Sequence, residues 1–169
     1  MSRFFVKINE TDYNQIMEVI TKSAKETQKL AGLMAKELLN WPEPRSGAMA
    51  VVLRGDLGAG KTTFAQGFAK GLGVKEPVKS PTFVILKKYD ISKRKIKTTR
   101  FRHFYHLDCY RLKNTQDARS LGLAEILKNP ANLVLIEWPE RIKNILSKKQ
   151  IIAIKFSYID ETSRKISFN

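Results

Sequence analysis

The sequence predicts an α/β protein built on a mixed sheet, and three observations carry that prediction. Apolar runs of strand length alternate with helical periodicities through the middle of the chain. Strand-like runs dominate both flanks, which favours a mixed sheet over a purely parallel one. Between the apolar run AMAVVL and a helical pattern lies the stretch RGDLGAGKTTFAQG, residues 54 to 67, which is rich in glycine. The 169 residues, 43% of them hydrophobic, suit a single domain over 1–169 with its own core.

Each element has its own signal. FFVKI reads as an edge strand. Ser23 and Glu26 make a capping-box pattern ahead of Leu30, Leu33, Met34 and Leu38, so a helix is expected there, ending near Trp41. WPEPRSG, with two prolines and a glycine, connects it to the strand AMAVVL. After the glycine loop, Phe64, Phe68 and Leu72 recur every fourth residue beside Ala65 and Ala69, with Gly71 and Gly73 at the expected end. That helix opens inside the motif. FVILKKY and FRHFYHLDCY read as strands around a basic turn, LGLAEIL as a short helix and NLVLIEW as a buried strand. IIAIKFSYI and RKISF complete a strand-rich end around the turn DETS.

Composition narrows the function classes. No run approaches the eighteen or so apolar residues of a membrane span, and MSRFFVKINE turns polar too early for a signal peptide, so the expectation is a cytoplasmic protein with no membrane partner. A lone cysteine, Cys109, cannot form an internal disulfide. The formal net charge of +15 creates a field that attracts polyanions such as RNA, acidic proteins or nucleotides. Charge alone does not choose among them, and plain solvation by lysine accounts for it equally well.

The glycine-rich stretch is more specific. Gly55, four residues, Gly60, Lys61 and Thr62 fit the Walker A pattern, with a strand before and a helix after. Glycines let consecutive N–H groups turn toward one anion, so the backbone from Asp56 through Leu57, Gly58, Ala59 and Gly60 is expected to cradle phosphate. The unpaired amides opening the next helix add to that attraction. Lys61 should reach the β and γ phosphates, the Thr62 hydroxyl should ligate Mg²⁺, and Thr63 falls nearer the α phosphate.

Hydrolysis needs a held metal and an oriented water as well. Glu137 follows the apolar run LVLI and would either polarise the water or bind Mg²⁺ through water. Asp108 shares a strand face with His106 and Tyr110 and is the better candidate for metal coordination. In SPTF, proline keeps Ser80 extended and leaves the hydroxyls of Ser80 and Thr82 on a constrained bend, either a γ-phosphate sensor or an ordinary turn. Trp138 would shield the site or meet a partner, unless it simply packs in the core. His103, His106, Asp108 and Cys109 make a poor zinc set, because the two histidines point to opposite strand faces. SKRKIKTTRFR, residues 92 to 102, concentrates basic residues at a hairpin tip, where it would touch RNA phosphates or merely be solvated.

GDLGAGKTTFAQG, SPTF followed by a strand and Tyr89, HLDCYRL, Leu121 with Gly122, and IEWPERI occur in the order seen in the bacterial TsaE proteins. The chain closely resembles that family over roughly residues 22 to 168, since SAKETQKLAGLMAKEL also looks like its N-terminal helix. The resemblance implies a P-loop NTPase-like three-layer α/β/α sandwich with a mixed parallel and antiparallel sheet. It implies an ATPase of tRNA threonylcarbamoyladenosine biosynthesis that binds ATP and Mg²⁺ and hydrolyses ATP slowly by itself. The family works with the TsaB and TsaD proteins. TsaD transfers a threonylcarbamoyl group from an adenylate to the adenosine next to the tRNA anticodon, and the ATPase sustains repeated cycles; any tRNA contact of this chain would come through the complex. By motif matching, Lys61 and Thr62 would contact nucleotide and metal, Asp108 would lie at the metal and Glu137 would support hydrolysis. Trp138, Ser80 and Thr82 match family positions near the nucleotide.

The chain departs from that pattern in an N-terminal extension over 1–21, a longer basic hairpin tip over 90–100, and Cys109 where an aliphatic residue is usual. Two other functions fit the same loop. A small-molecule P-loop kinase would use the basic hairpin as a lid, but no acceptor-pocket motif is recognisable. A basic RNA-binding protein with a regulatory nucleotide site would bind tRNA with or without ATP. A guanine-nucleotide switch is disfavoured, since no Asn-Lys-x-Asp motif follows the loop.

Overall fold

The computed structural model describes residues 17–41, 46–78, 85–91, 99–112, 114–146 and 151–168. Their strands are β1 (Met17–Thr21), β2 (Met49–Arg54), β3 (Leu86–Asp90), β4 (His103–Asp108), β5 (Asn132–Glu137), β6 (Ile151–Tyr158) and β7 (Arg164–Phe168). The helices are α1 (Ala24–Leu39), α2 (Lys61–Leu72), α3 (Thr115–Ser120) and α4 (Leu123–Lys128), with a 3-10 turn over Pro139–Ile142. One seven-stranded sheet has the order β1-β7-β6-β2-β5-β4-β3. The inner strands β6, β2, β5 and β4 run parallel, while β3 at one side and β7 with β1 at the other pair antiparallel.

Alternation along each strand builds two cores. Met49, Val51 and Leu53 of β2, Leu133 and Leu135 of β5, and Phe104 of β4 pack with α1 and α2. Ala50, Val52, Val134, Ile136 and Leu107 face the other way, toward α3, α4 and the 3-10 turn. The sheet is therefore sandwiched between helical layers, the α/β/α arrangement expected from the sequence. Covering on both faces also explains why AMAVVL and NLVLI read as continuous apolar runs.

Local chemistry sets the helix ends. Ser23 Oγ accepts from the Glu26 N–H at 3.2 Å, and the Glu26 carboxylate accepts from the Lys22 N–H at 2.8 Å, so both members of the capping pair act on the first turn. Gly73 closes α2 in the left-handed region, with its N–H on the carbonyls of Ala69 and Lys70. Between α1 and α2 the backbones meet through glycine: a Cβ on Gly67 would collide with the Gln28 backbone, and one on Gly71 would stand 2.5 Å from the Gly32 carbonyl oxygen. Gly67 and Gly71 lie four residues apart, one above the other on the same face of α2.

The anticipated strand FFVKI, residues 92–98 of the basic hairpin tip and the SPTF loop lie outside the described residues. Three elements were not anticipated: β1, α3 and the 3-10 turn over Pro139–Ile142. β1 is a short edge strand whose Met17 and Ile20 are exposed, and its register is supplied by β7 across Met17↔Phe168. α3 has a polar sequence, and the Asn114 side chain starts it by accepting from the Gln116 and Asp117 N–H groups.

Gly67→Ala should cost about 2–3 kcal/mol of unfolding free energy in urea titrations, because backbone rather than a yielding side chain blocks the new methyl. An unchanged midpoint would show that α1 and α2 can separate freely.

Candidate functional site

β2, β5 and β4 are parallel neighbours, so their carboxyl ends open on the same sheet edge. The register pairs Leu53 with Glu137 and Glu137 with Asp108. The glycine loop leaves β2 at this edge, and α2 begins directly behind it. Ligands of open α/β sheets bind at this kind of edge, outside the strand ends.

Two glycines fix the loop. Gly55 has φ +137°, and a Cβ there would come within 2.6 Å of the Phe156 carbonyl oxygen on β6. Gly60 has φ +99° and starts α2 with no side-chain cap, so the amides of the first turn are left to the loop's own cavity. Side chains at these positions would be strained or would clash.

Lys61 is the first residue of α2 and only 4% exposed. Its Nζ donates to the Gly55 and Asp56 carbonyl oxygens at 2.7 and 2.8 Å, and it lies 3.9 Å from the centre of the Trp138 ring. Burial pulls its pKa below the ordinary lysine range, while the charges of Glu137, Asp108, Asp56 and Glu140 push back. The Thr62 hydroxyl donates to Glu137 Oε2 at 3.1 Å, and Glu137 Oε1 lies 2.9 Å from His106 Nε2. Asp108 accepts from the Tyr110 N–H at 2.9 Å. Burial raises the Asp108 carboxyl pKa, an effect that the Tyr110 bond opposes and the Glu137 charge reinforces. Trp138, with φ +57°, is the only non-glycine residue in the left-handed region among those described, and its ring centre lies 5.1 Å from that of Tyr110.

Leu57, Gly58, Gly60, Lys61, Thr62, Thr63, Asp108, Glu137 and Trp138, all anticipated from the sequence, line one cavity of about 210 Å³ together with Tyr110. Asp56 and Ala59 belong to the loop backbone, where the Ala59 N–H donates to the Asp56 carbonyl at 3.2 Å. Ser80 and Thr82 lie outside the described residues. The weakly supported zinc set does not converge: His103 bonds Asp90 at 3.0 Å, while His106 bonds Glu137. Cys109 is fully buried, and desolvation pushes its thiol up to about 12.

Sequence reasoning missed two contributors. His106 shares Asp108's strand face in the sequence reading, which gives it no role beyond the poor zinc set, although the two-residue spacing is the available signal. Arg164, more than a hundred residues from the loop, had none. Its Nη2 donates to the Gly58 carbonyl at 3.3 Å, and its Nη1 donates to the carbonyls of Asp160 and Ser163 at 2.7 and 2.9 Å. Arg164 thus ties the loop to the β6–β7 turn.

A triphosphate and a divalent cation fit this arrangement. The Gly55 turn excludes a Cβ, the first α2 amides lack a side-chain cap, and Thr62, Glu137 and Asp108 bring a hydroxyl and two carboxylates to the cavity. Fold and site together define an α/β protein of the P-loop NTPase-like class.

Comparison with known proteins narrows that class. The family model described as "Threonylcarbamoyl adenosine biosynthesis protein TsaE" matches residues 21–166, and the chain belongs to this family. A Rickettsia felis protein named "tRNA threonylcarbamoyladenosine biosynthesis protein TsaE" is 39% identical over 150 residues, spanning 88% of this chain and 77% of the relative. A Nostoc protein of the same name is 32% identical over 161 residues, spanning 94% of this chain and 88% of the relative. The crystal structure of YdiB from Bacillus subtilis superposes with a TM-score of 0.63 at 32% identity, covering 91% of this chain and 84% of that one. The family therefore places this chain in tRNA threonylcarbamoyladenosine biosynthesis. Among the described residues, no helix is long and apolar enough to cross a membrane.

Two outcomes follow from the site's electrostatics. At pH 8 the buried Cys109 thiol should react with iodoacetamide roughly a thousandfold or more slowly than a free cysteine, and at the free rate only in denaturant. Comparable labelling of native protein would contradict its burial. Because the folded Asp108 pKa is raised, its ionised form destabilises the fold above that pKa, whereas at a pH well below the ordinary aspartate value both states are protonated and no penalty remains. Asp108→Asn should therefore raise the melting temperature at pH 7 and lose that gain at such a low pH; a lower melting temperature at pH 7 would reverse the sign.

Proposed function

We propose that this chain is a Mg²⁺-dependent ATPase of the cytoplasm. It serves as an accessory factor for threonylcarbamoylation of the tRNA adenosine next to the anticodon and acts with the TsaB and TsaD proteins. The observation that carries the reading is the convergence of Lys61, Thr62, Asp108 and Glu137 on the cavity of the glycine loop. A buried ammonium and a ring of main-chain amides are matched to an anion of high charge.

In this reading the loop amides and Lys61 Nζ bind the β and γ phosphates of ATP. Thr62 Oγ1 and the Asp108 carboxylate would hold Mg²⁺, which would supply positive charge beside the phosphates. Glu137 orients the water that attacks the γ phosphorus in line. As the new P–O bond forms, the bond to the bridging oxygen breaks, ADP leaves, and the water's proton passes through the Glu137 carboxylate to solvent. Trp138 and Tyr110 wall the cavity against bulk water. The family's place in tRNA modification supports the choice of pathway, and the net charge of +15 is compatible with an assembly that contains tRNA without selecting it.

The direct test measures ATP hydrolysis by the purified protein alone, then with TsaB and TsaD, and then with tRNA added. Stimulation by the pair supports the reading; unchanged turnover with phosphoryl transfer to a nucleoside acceptor would replace it with a kinase. Lys61→Ala should weaken nucleotide binding. Glu137→Ala should keep ATP bound yet turn over roughly a hundredfold more slowly or worse, the usual scale for losing a positioned base. Native-rate hydrolysis by Glu137→Ala in the full assembly would remove Glu137 from the chemistry.

A further inference from the structure

Glu137 is gripped at both carboxylate oxygens: Oε2 by the Thr62 hydroxyl at 3.1 Å and Oε1 by His106 Nε2 at 2.9 Å. The two contacts differ in kind. Thr62 stands on the cavity wall at the start of α2, where a metal would compete for its hydroxyl. His106 belongs to the middle of the sheet, and its side chain and that of Glu137 are each only 2% exposed. In the β4–β5 register His106 stands opposite Leu135, and Asp108 opposite Glu137, so the ring reaches Glu137 diagonally from one residue pair down the strands.

Burial alone does not orient a glutamate. The last torsion of its side chain, between tetrahedral and planar carbon, has a broad minimum, so the carboxylate plane turns freely unless something holds it. A ring fixed in a strand core and hydrogen-bonded to one oxygen supplies that hold, and Nε2 is the donor when Glu137 is ionised. The second oxygen then faces Thr62 and the cavity.

We infer that His106 is a positioning residue for Glu137: its Nε2–H fixes the carboxylate plane, so that when Thr62 turns to the metal, the freed Oε2 faces the attacking water. The inference rests on the hydrolytic role proposed for Glu137. It assigns His106 an effect on turnover and none on nucleotide affinity, because the ring contacts the carboxylate and not the phosphate loop.

The test compares His106→Leu, which deletes the donor, with His106→Gln, whose amide can stand in for Nε2–H. Steady-state hydrolysis is measured in the assembly with TsaB and TsaD, and calorimetry measures binding of the imido-bridged ATP analogue with Mg²⁺. His106→Leu should lower kcat by about tenfold to a hundredfold, the scale typical of lost orienting partners, with KM for ATP and affinity for the analogue held within about threefold. His106→Gln should recover most of kcat. In a Glu137→Ala background, His106→Leu should change kcat no further, since the two side chains act as one unit. If the leucine variant does not fold, His106→Asn, whose amide falls short of Glu137, takes its place with the same expectations. An unchanged kcat, a parallel loss of analogue binding, or a glutamine variant as slow as the leucine one would overturn the inference. Should Glu137→Ala itself run at the native rate, the hydrolytic reading of Glu137 fails instead, and that result is read independently of His106.

Discussion

The parallel register of β2, β5 and β4 is the constraint on which the site depends. Because these strands run side by side in one direction, the residues that end them are delivered to one edge without help from loops. Leu53 stands opposite Glu137, and Glu137 opposite Asp108. A one-residue slip between β4 and β5 would turn Asp108 and His106 to the opposite face, where Leu107 and Ile136 pack against α3 and α4. The apolar alternation on both faces makes such a slip costly. Core packing and the geometry of the cavity wall are therefore set by the same register.

The glycine loop needs support from outside its own sequence. Gly55 lies so close to β6 that only a residue without a Cβ fits, and Arg164 of β7 grips the Gly58 carbonyl from the far side. On the helical side, α2 is pressed against α1 through Gly67 and Gly71, which fixes the direction in which its first turn points. The loop is thus braced by β6, β7 and the helix pair before any ligand contributes, so little ordering cost would fall on binding.

Much of this was legible in the chain. The strand–loop–helix order around Gly55 and Lys61, the two-sided burial of AMAVVL and NLVLI, and the acids that end β4 and β5 all follow from periodicity and motif spacing, because each signal is local. What escaped depends on distant partners. β1 is a strand because β7 offers it an edge, and MEVIT alone alternates too weakly to show it. α3 forms from a polar stretch because Asn114 caps it. Arg164 meets the loop only after β7 has returned beside β6. His106 was visible as a neighbour of Asp108 on one face, but its bond to Glu137 needs the β4–β5 pairing, which a single sequence does not specify.

The electrostatics of the wall explain why these partners matter. Lys61 and Glu137 are each at most 4% exposed, and an isolated buried charge costs several kcal/mol even after relaxation. Neither is isolated. Two carbonyls and the face of Trp138 surround the Lys61 ammonium, which replaces lost hydration with fixed dipoles and a ring quadrupole. Glu137 replaces its hydration with a hydroxyl and an imidazole. Deleting any one partner would leave a charge stranded, and that penalty exceeds the value of the lost contact itself. The same arrangement that lets the fold bury its charges also fixes their directions, and charges held in fixed directions away from bulk water interact with an opposite charge more strongly than mobile ones in water.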